Sequence, residues 1–353
     1  MNSMALSVGE RVGTKSNPLF EPAQHDTTNQ LTNPTSQTEM KALGGMKVSS
    51  HSDHVHVPVL RREVLELLGA TNALATDGWI VDGTLGAAGH ASACLETFEK
   101  AQVLGIDQDP EILEIARERL TAFGDRSRTV RGRISELDTI LESAKIGQPN
   151  GMLFDLGVSS LQLDRAERGF SFAADGPLDM RMDPERDRTA ADIINHWDEA
   201  DLADLFYYEG DESRSRSIAK AIVQSRRRAP FKRTSALAEL IASQSSGGGK
   251  THPATRCFQA LRRAVNEEGE ELLSGLDAAA KWLAEGASLV VISFHSGEDR
   301  AVKKYFADGA RAGDWRLLTK KPLSADREEC RRNRRSRSAR VRAAVRTRAG
   351  GAS

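Results

Sequence analysis

Short apolar runs alternate with longer amphipathic stretches between residues 79 and 155, and this rhythm predicts repeated strand–helix units. Trp79-Ile-Val-Asp82 reads as a strand, Gly83 to Gly89 as a loop, and the residues up to about Glu99 as a helix. Val103-Leu-Gly-Ile-Asp107 is a second strand. Pro110 then opens a helix running from Glu111 to about Phe123, with Ile112, Ile115, Ala116 and Leu120 on one stripe. Arg128-Thr-Val-Arg131 is a weak third strand and Gly151-Met-Leu-Phe-Asp155 a fourth. Strands and helices in this order build parallel βαβ units, hence a doubly wound α/β sheet. Upstream, Val64, Leu65, Leu67 and Leu68 give a short amphipathic helix after Pro58.

The rhythm stops near Asp164. Up to Glu267 no run is as apolar as the earlier strands; residues 198–208, 213–227 and 234–243 read as helices, and 245–250 as a flexible loop. One further helix is expected over about 258–284, and a strongly apolar strand returns at 288–294. The pattern therefore places a smaller helical domain inside the α/β domain, with the sheet completed afterwards. The expected division is a first α/β part over 51–164, an inserted helical domain over 165–267, and a second α/β part over 268–353 ending in an Arg-rich tail. Residues 1–50 are rich in Asn, Thr, Ser, Gln and Gly, bury too little apolar surface to order themselves, and read as a disordered extension, with Met46 as an alternative start.

Charge changes the picture only locally. Lys plus Arg total 49 against 50 for Asp plus Glu, a formal net charge of -1, so the whole-chain balance points to no polyanionic partner. The arginines crowd at one end, in Arg331-Arg-Asn-Arg-Arg-Ser-Arg337 and at Arg340, Arg342, Arg346 and Arg348. With Arg226-Arg-Arg228, Lys232 and Arg233 they could neutralise phosphates. Cys94, Cys257 and Cys330 are far apart and fit no metal spacing, which suits free thiols in a reducing cytoplasm; no His/Cys cluster calls for a metal. No apolar run is long enough to cross a membrane, and the N-terminus lacks a secretion pattern.

The chemistry starts at Asp82-Gly-Thr-Leu-Gly-Ala-Ala-Gly-His90, between the first strand and its helix. Gly83, Gly86 and Gly89 allow tight turns and close approach to a ligand, and the helix behind them offers free N–H groups to an anion. The second strand ends in Asp107, which can accept hydrogen bonds from both ribose hydroxyls of an adenosine-type cofactor. These features do not separate NAD from S-adenosylmethionine, and a packing loop in any α/β protein would also carry the glycines. Asp155-Leu-Gly-Val-Ser-Ser-Leu-Gln162 lies at the carboxyl end of the fourth strand, where open α/β sheets place their sites. Asp155 can accept a hydrogen bond from an exocyclic amine, and Gln162 can donate and accept. Ser159 and Ser160 are both expected as helix N-caps.

The assembled motifs resemble the bacterial 16S rRNA (cytosine-N4)-methyltransferases, the RsmH (MraW) family. The matching stretches are His56-Val-Pro-Val-Leu60, Val81-Asp-Gly-Thr-Leu-Gly86, Gly105-Ile-Asp-Gln-Asp-Pro110, Asp155-Leu-Gly-Val-Ser-Ser160, Gln162-Leu-Asp164, Ala166-Glu-Arg-Gly-Phe-Ser-Phe172 and Asp175-Gly-Pro-Leu-Asp-Met-Arg-Met-Asp183. Further along, His252-Pro-Ala-Thr-Arg256, Phe258-Gln-Ala260, Val265-Asn266, Ile292-Ser-Phe-His-Ser296 and Glu298-Asp-Arg300 match as well, so the resemblance covers roughly 54–346. It implies a class I (Rossmann-like) S-adenosylmethionine-dependent methyltransferase sheet interrupted by a helical substrate-recognition domain. It also implies methylation of a cytosine amine in the decoding centre, with 16S rRNA or the small ribosomal subunit as partner, and leaves a homodimer open. The implied cofactor contacts are Ala88, Gly89 and His90 in the loop, Asp107 on the ribose, Ile134 beside the adenine, and Asp155 and Gln162 near the methyl-transfer end; Asp155 is the implied catalytic residue. Four positions depart from the family pattern: Ala88 stands where glycine is usual, Ile134 where phenylalanine is, Gly297 where leucine is, and Arg334 where proline is common. The loop keeps its backbone contacts if Ala88 needs no positive φ. Two other readings stay open at this stage, an NAD-dependent Rossmann oxidoreductase and a non-catalytic ribosome-assembly factor on a methyltransferase fold.

Overall fold

The computed structural model describes residues 58–245 and 251–348; the extension expected over 1–50, His56, and the glycine run at 246–250 lie outside them. In chain order the helix α1 (Arg61–Leu68) precedes β1 (Gly78–Asp82), α2 (Gly89–Thr97), β2 (Ala101–Asp107), α3 (Pro110–Leu120), β3 (Ser127–Arg131), α4 (Leu137–Ala144) and β4 (Gly151–Asp155). A helical stretch follows, with α5 (Ser160–Asp164), α6 (Ala190–His196), α7 (Glu199–Asp204), α8 (Ser215–Arg226), α9 (Thr234–Ser243) and α10 (Thr255–Asn266). The chain then returns through α11 (Glu268–Trp282), β5 (Ser288–Ser293), α12 (Ser296–Ala312), β6 (Trp315–Leu317), α13 (Arg327–Arg332) and β7 (Arg340–Arg346).

The described strands form one seven-stranded sheet in the order β3-β2-β1-β4-β5-β7-β6. The first five are parallel neighbours, and β7 runs antiparallel to both β5 and β6. Every residue of β5 is buried, as a central strand covered on both faces requires. Side chains alternate across the sheet: Val81, Leu104 and Phe154 pack on one face with α4 and α11, while Ile80, Val103 and Leu153 pack on the other with α1 and α2. The helical stretch has its own cluster, built from Met180, Ile193, Phe206, Ile222, Leu237 and Leu261 among others.

Because β1, β2 and β4 are parallel, Asp82, Asp107 and Asp155 end their strands on the same sheet edge. The α3 N-terminus is set there by Asp109, whose side chain caps the N–H groups of Glu111 and Ile112, with Pro110 in the first turn.

Three sequence expectations change. The single helix expected over 258–284 is two, α10 and α11, broken at Glu267, which adopts φ +55°. Glutamate has no preference for that conformation; it is held by ion pairs from its carboxylate to Arg133 (3.2 Å), Arg186 (2.6 Å) and Arg188 (3.3 Å). The helix expected over 198–208 is α only to Asp204 and widens to a π turn over Leu205–Glu209. The Arg-rich end is not a loose tail, since Arg340–Arg346 is a sheet strand. Buried Arg342 is paired with Asp299 at 2.7 Å, and Arg346 with Asp314 at 3.5 Å.

Candidate functional site

A pocket opens at the carboxyl edge of the sheet, between the turn after β1, the end of β2, the loop after β4 and the first turn of α11. Its walls include Gly83, Gly89, His90, Asp107, Ile134, Asp155 and Gln162, so the structure brings together all but one of the anticipated site residues; Ala88 sits buried directly behind the wall.

The turn after β1 is shaped by close approach. A Cβ on Gly83 would lie 2.6 Å from the Phe154 ring and 2.9 Å from Ile134 in the pocket wall, so any side chain there would displace them. Gly86 has φ +52° and its N–H donates to Asp107 Oδ2 at 2.8 Å. Ala88 adopts a positive φ, +59°, as the N-cap of α2, so the condition under which alanine would replace glycine without backbone strain is not met. An L-residue there carries roughly 1–2 kcal/mol of strain that glycine would not, and its fully buried methyl in the α1/α2 cluster offsets part of it.

Asp107 is tied at both oxygens, since Oδ1 accepts the Asp109 N–H at 2.9 Å. Burial pushes its pKa up to about 6, while the N–H groups of Asp109 and Gly86 hold it down. A carboxylate oxygen accepts more than one hydrogen bond, so both keep acceptor capacity toward the pocket. Ile134 lies in the 3₁₀ turn after β3, and α11 approaches it so closely that a Cβ on Gly275 would come within 3.0 Å.

Asp155 ends β4 with its N–H donating to Thr84 Oγ1 at 2.5 Å. Its Oδ1 is buried and has no hydrogen-bond partner among the described residues; Oδ2 is 3.9 Å from His90 Nε2, too long for a direct bond. Burial pushes the Asp155 pKa up to about 7, Arg335 pulls it down and Glu298 adds to the rise. Asp82, one strand away, is likewise pushed up to about 7 by burial.

Gln162 is placed differently from a free ligand. Its Oε1 accepts the Ser159 N–H at 3.0 Å and its Nε2 donates to Asp109 Oδ2 at 2.9 Å, so both ends of the amide are engaged in the pocket wall. Ser159 caps α5, as expected; Ser160 does not, and its hydroxyl instead accepts from Arg335. Sequence reasoning missed Arg335 and Arg168, whose partners are far away in the chain. Among the described residues Glu268, His295 and Glu298 bring metal-type ligand atoms together. Within this group Glu268 is held by both arms of Arg262, His295 Nδ1 accepts the N–H groups of Gly297 and Glu298, and His295 Nε2 faces Glu298 Oε1 at 3.0 Å.

The class follows from the sheet. A Rossmann-like order with β7 reversed between β5 and β6, and a pocket at the carboxyl edge, is the class I methyltransferase fold. Within that class the chain belongs to the MraW methylase family, whose model matches residues 53–347. It is 45% identical over 312 residues to a protein of Methylorubrum extorquens named ribosomal RNA small subunit methyltransferase H, covering 83% of this chain and 86% of that one. A relative of the same name from Crocosphaera subtropica is 46% identical over 297 residues, covering 83% and 90%. Among solved structures, a putative rRNA methylase from Clostridium thermocellum is matched over 82% of this chain and 98% of that one, at 11% identity and a TM-score of 0.40.

The protein is thus a methyltransferase with S-adenosyl-L-methionine as cofactor, and the oxidoreductase reading falls. The pocket suits that cofactor: a glycine turn with no room for a side chain at Gly83, acceptor capacity on Asp107, an apolar wall at Ile134, and an unsatisfied carboxylate oxygen on Asp155. Among the described residues no helix is long and apolar enough to cross a membrane.

Proposed function

We propose that the protein methylates N4 of cytosine-1402 in the decoding centre of 16S rRNA, acting on the small ribosomal subunit in the cytoplasm. The observation that carries this reading is Asp155 Oδ1, a buried acceptor without a hydrogen-bond partner among the described residues, on a residue that lines a pocket suited to a sulfonium cofactor. The relatives' name, which specifies the RNA of the small subunit, supports the substrate class.

The cofactor supplies an electrophilic methyl group. The cytosine amine is a poor nucleophile because its lone pair is delocalised into the ring. Accepting an N–H hydrogen bond, Asp155 localises that pair and can take the proton afterwards. In this reading Gly89 and His90 line the cofactor through the backbone turn that Ala88 supports from behind, Asp107 takes the ribose, Ile134 covers the adenine, and Gln162 shapes the wall near Asp155. The base enters unstacked, from single-stranded or opened RNA, and the helical stretch over 165–267 serves as the recognition domain. The test incubates the purified protein with labelled cofactor and unmethylated small subunits and maps the modified base. Label on a single cytosine, at N4, is expected; label on another base type rejects the assignment.

The structure narrows which arginines can meet phosphate. Arg342 and Arg346 are paired with acids inside the fold, and exposed Arg340 is paired with Asp299. Arg331, Arg334 and Arg337 are exposed, on α13 and the 3₁₀ turn that also carries Arg335 into the pocket wall. Replacing these three by alanine should flatten the plot of log affinity against log salt by about 2 units, at roughly 0.7 per single-strand phosphate contact. Filter binding to small subunits across a salt series checks this; an unchanged slope removes them from the RNA interface.

A further inference from the structure

Arg335 reaches the site from the far end of the chain. Its guanidinium Nη1 donates to Ser160 Oγ at 3.1 Å, Nη2 donates to the Val158 carbonyl, and the cation lies 5.6 Å from the centre of the Phe294 ring. The loop so gripped starts at Asp155, turns at Gly157 with φ +92°, and ends at the Ser159 cap of α5. The arginine is braced from behind. Its own N–H donates to Asn333 Oδ1 at 3.1 Å, and the next residue, Ser336, donates from its hydroxyl to Glu329 Oε1 at 2.6 Å. The same Glu329 oxygen accepts the Leu60 N–H at 2.8 Å, next to the pocket residues Pro58 and Val59.

We infer that Arg335 is a positioning residue for methyl transfer: it fixes the loop from Asp155 to Ser160 and places a cation in the same pocket wall as the carboxylate that accepts the substrate amine. This rests on the role given to Asp155 above. The groups around that carboxylate are His90 on α2, Asp82 at the end of β1, Glu298 on α12 and Arg335. Of these, Glu298 favours the protonated form, as burial does; Arg335 is the permanently charged cation that opposes them. Its long-range grip also explains why a short loop containing a glycine at positive φ can hold a reacting group still.

The test uses the full chain, unmethylated small subunits and labelled S-adenosylmethionine, with Arg335→Met and Arg335→Lys compared to wild type across the neutral pH range. Arg335→Met should lower kcat about 100-fold and leave the calorimetric cofactor Kd within about twofold, as expected when preorganisation rather than binding is lost. Its acidic limb of kcat should move about one pH unit upward, because the carboxylate is harder to ionise without the cation. Arg335→Lys should keep the limb at its wild-type position but lose about tenfold in kcat, since a point charge replaces the fork. An unmoved limb in Arg335→Met, or full kcat in Arg335→Lys, overturns the inference; the lysine variant carries the test if the methionine variant does not fold. Asp155→Asn run in parallel separates the two readings. Retained activity there refutes the role of Asp155 itself, whereas an inactive Asp155→Asn with an unmoved limb in Arg335→Met refutes the Arg335 inference alone.

Discussion

Asp155→Asn is expected to lose about 10³-fold in methyl transfer, within the range for removing a positioned general base, and at the same time to make the protein more stable. The amide keeps the shape of the carboxylate and one acceptor oxygen, but it carries no charge to localise the amine lone pair and cannot take up its proton. Cofactor affinity should change only a few-fold, since other residues line most of the pocket. The gain in stability follows from the site's electrostatics. Burial raises the Asp155 pKa to about 7, well above its unfolded value of about 3.9. Between those limits the folded state binds more protons than the unfolded state, so this group's contribution falls as pH rises through the window and is fully unfavourable above about 7. Asparagine removes that penalty. With the side chain still 22% exposed and Arg335 nearby, a gain of about 1–2 kcal/mol at pH 8 is a reasonable magnitude. Below about pH 4 the difference should vanish. Thermal unfolding at several pH values, beside the methylation assay, checks both halves; a variant that is active, or that is no more stable at pH 8, contradicts the assignment of Asp155.

The parts of this site that could be read from the sequence are those that depend on neighbouring residues. The runs ending in Asp82, Asp107 and Asp155 are apolar enough to be central strands, and parallel strands necessarily deliver their last residues to one edge. The parts that could not be read depend on partners distant in the chain. Glutamate is a good helix former, so the 258–284 stretch reads as one helix; the break at Glu267 is imposed by Arg133 and two arginines of the helical stretch, a tertiary override of local propensity. The β7 segment Arg340-Val-Arg-Ala-Ala-Val-Arg looks like a solvated basic tail until Asp299 and Asp314 are found beside it. Arg335 is indistinguishable in sequence from Arg334 and Arg337, and only its contacts with Val158 and Ser160 set it apart. Gln162 shows the converse: its residue type suggested a ligand contact, while the fold employs its amide to join α5 to α3.

That joint should be the most sensitive point in the molecule after the reacting carboxylate. Asp109 is fully buried, caps α3 through Oδ1, and through Oδ2 accepts from Gln162 Nε2 at 2.9 Å and Arg168 Nη1 at 2.8 Å. Arg168 in turn donates to the carbonyls of Arg181 and Met182, fastening the segment that leads into the helical stretch onto the sheet edge. Asp109→Ala removes the cap, worth about 1 kcal/mol, and strands a largely buried guanidinium whose remaining acid, Glu111, is 3.4 Å away and half exposed. Removing one partner of a buried pair typically costs about 3–5 kcal/mol, so denaturant unfolding should show a loss of that order. Asp109→Asn keeps the cap but turns an amide NH₂ toward two donors, and should fall nearly as far. If the unpaired cation is the cause, adding Arg168→Met to Asp109→Ala should recover a substantial part of the loss, because a buried pair replaced by apolar groups is far less damaging than a broken one. A single variant within about 1 kcal/mol of wild type would mean that water or Glu111 compensates for Asp109. No recovery in the double variant would mean that Arg168 matters through its carbonyl contacts, and the sheet edge and the helical stretch would then be joined by backbone anchoring rather than by charge.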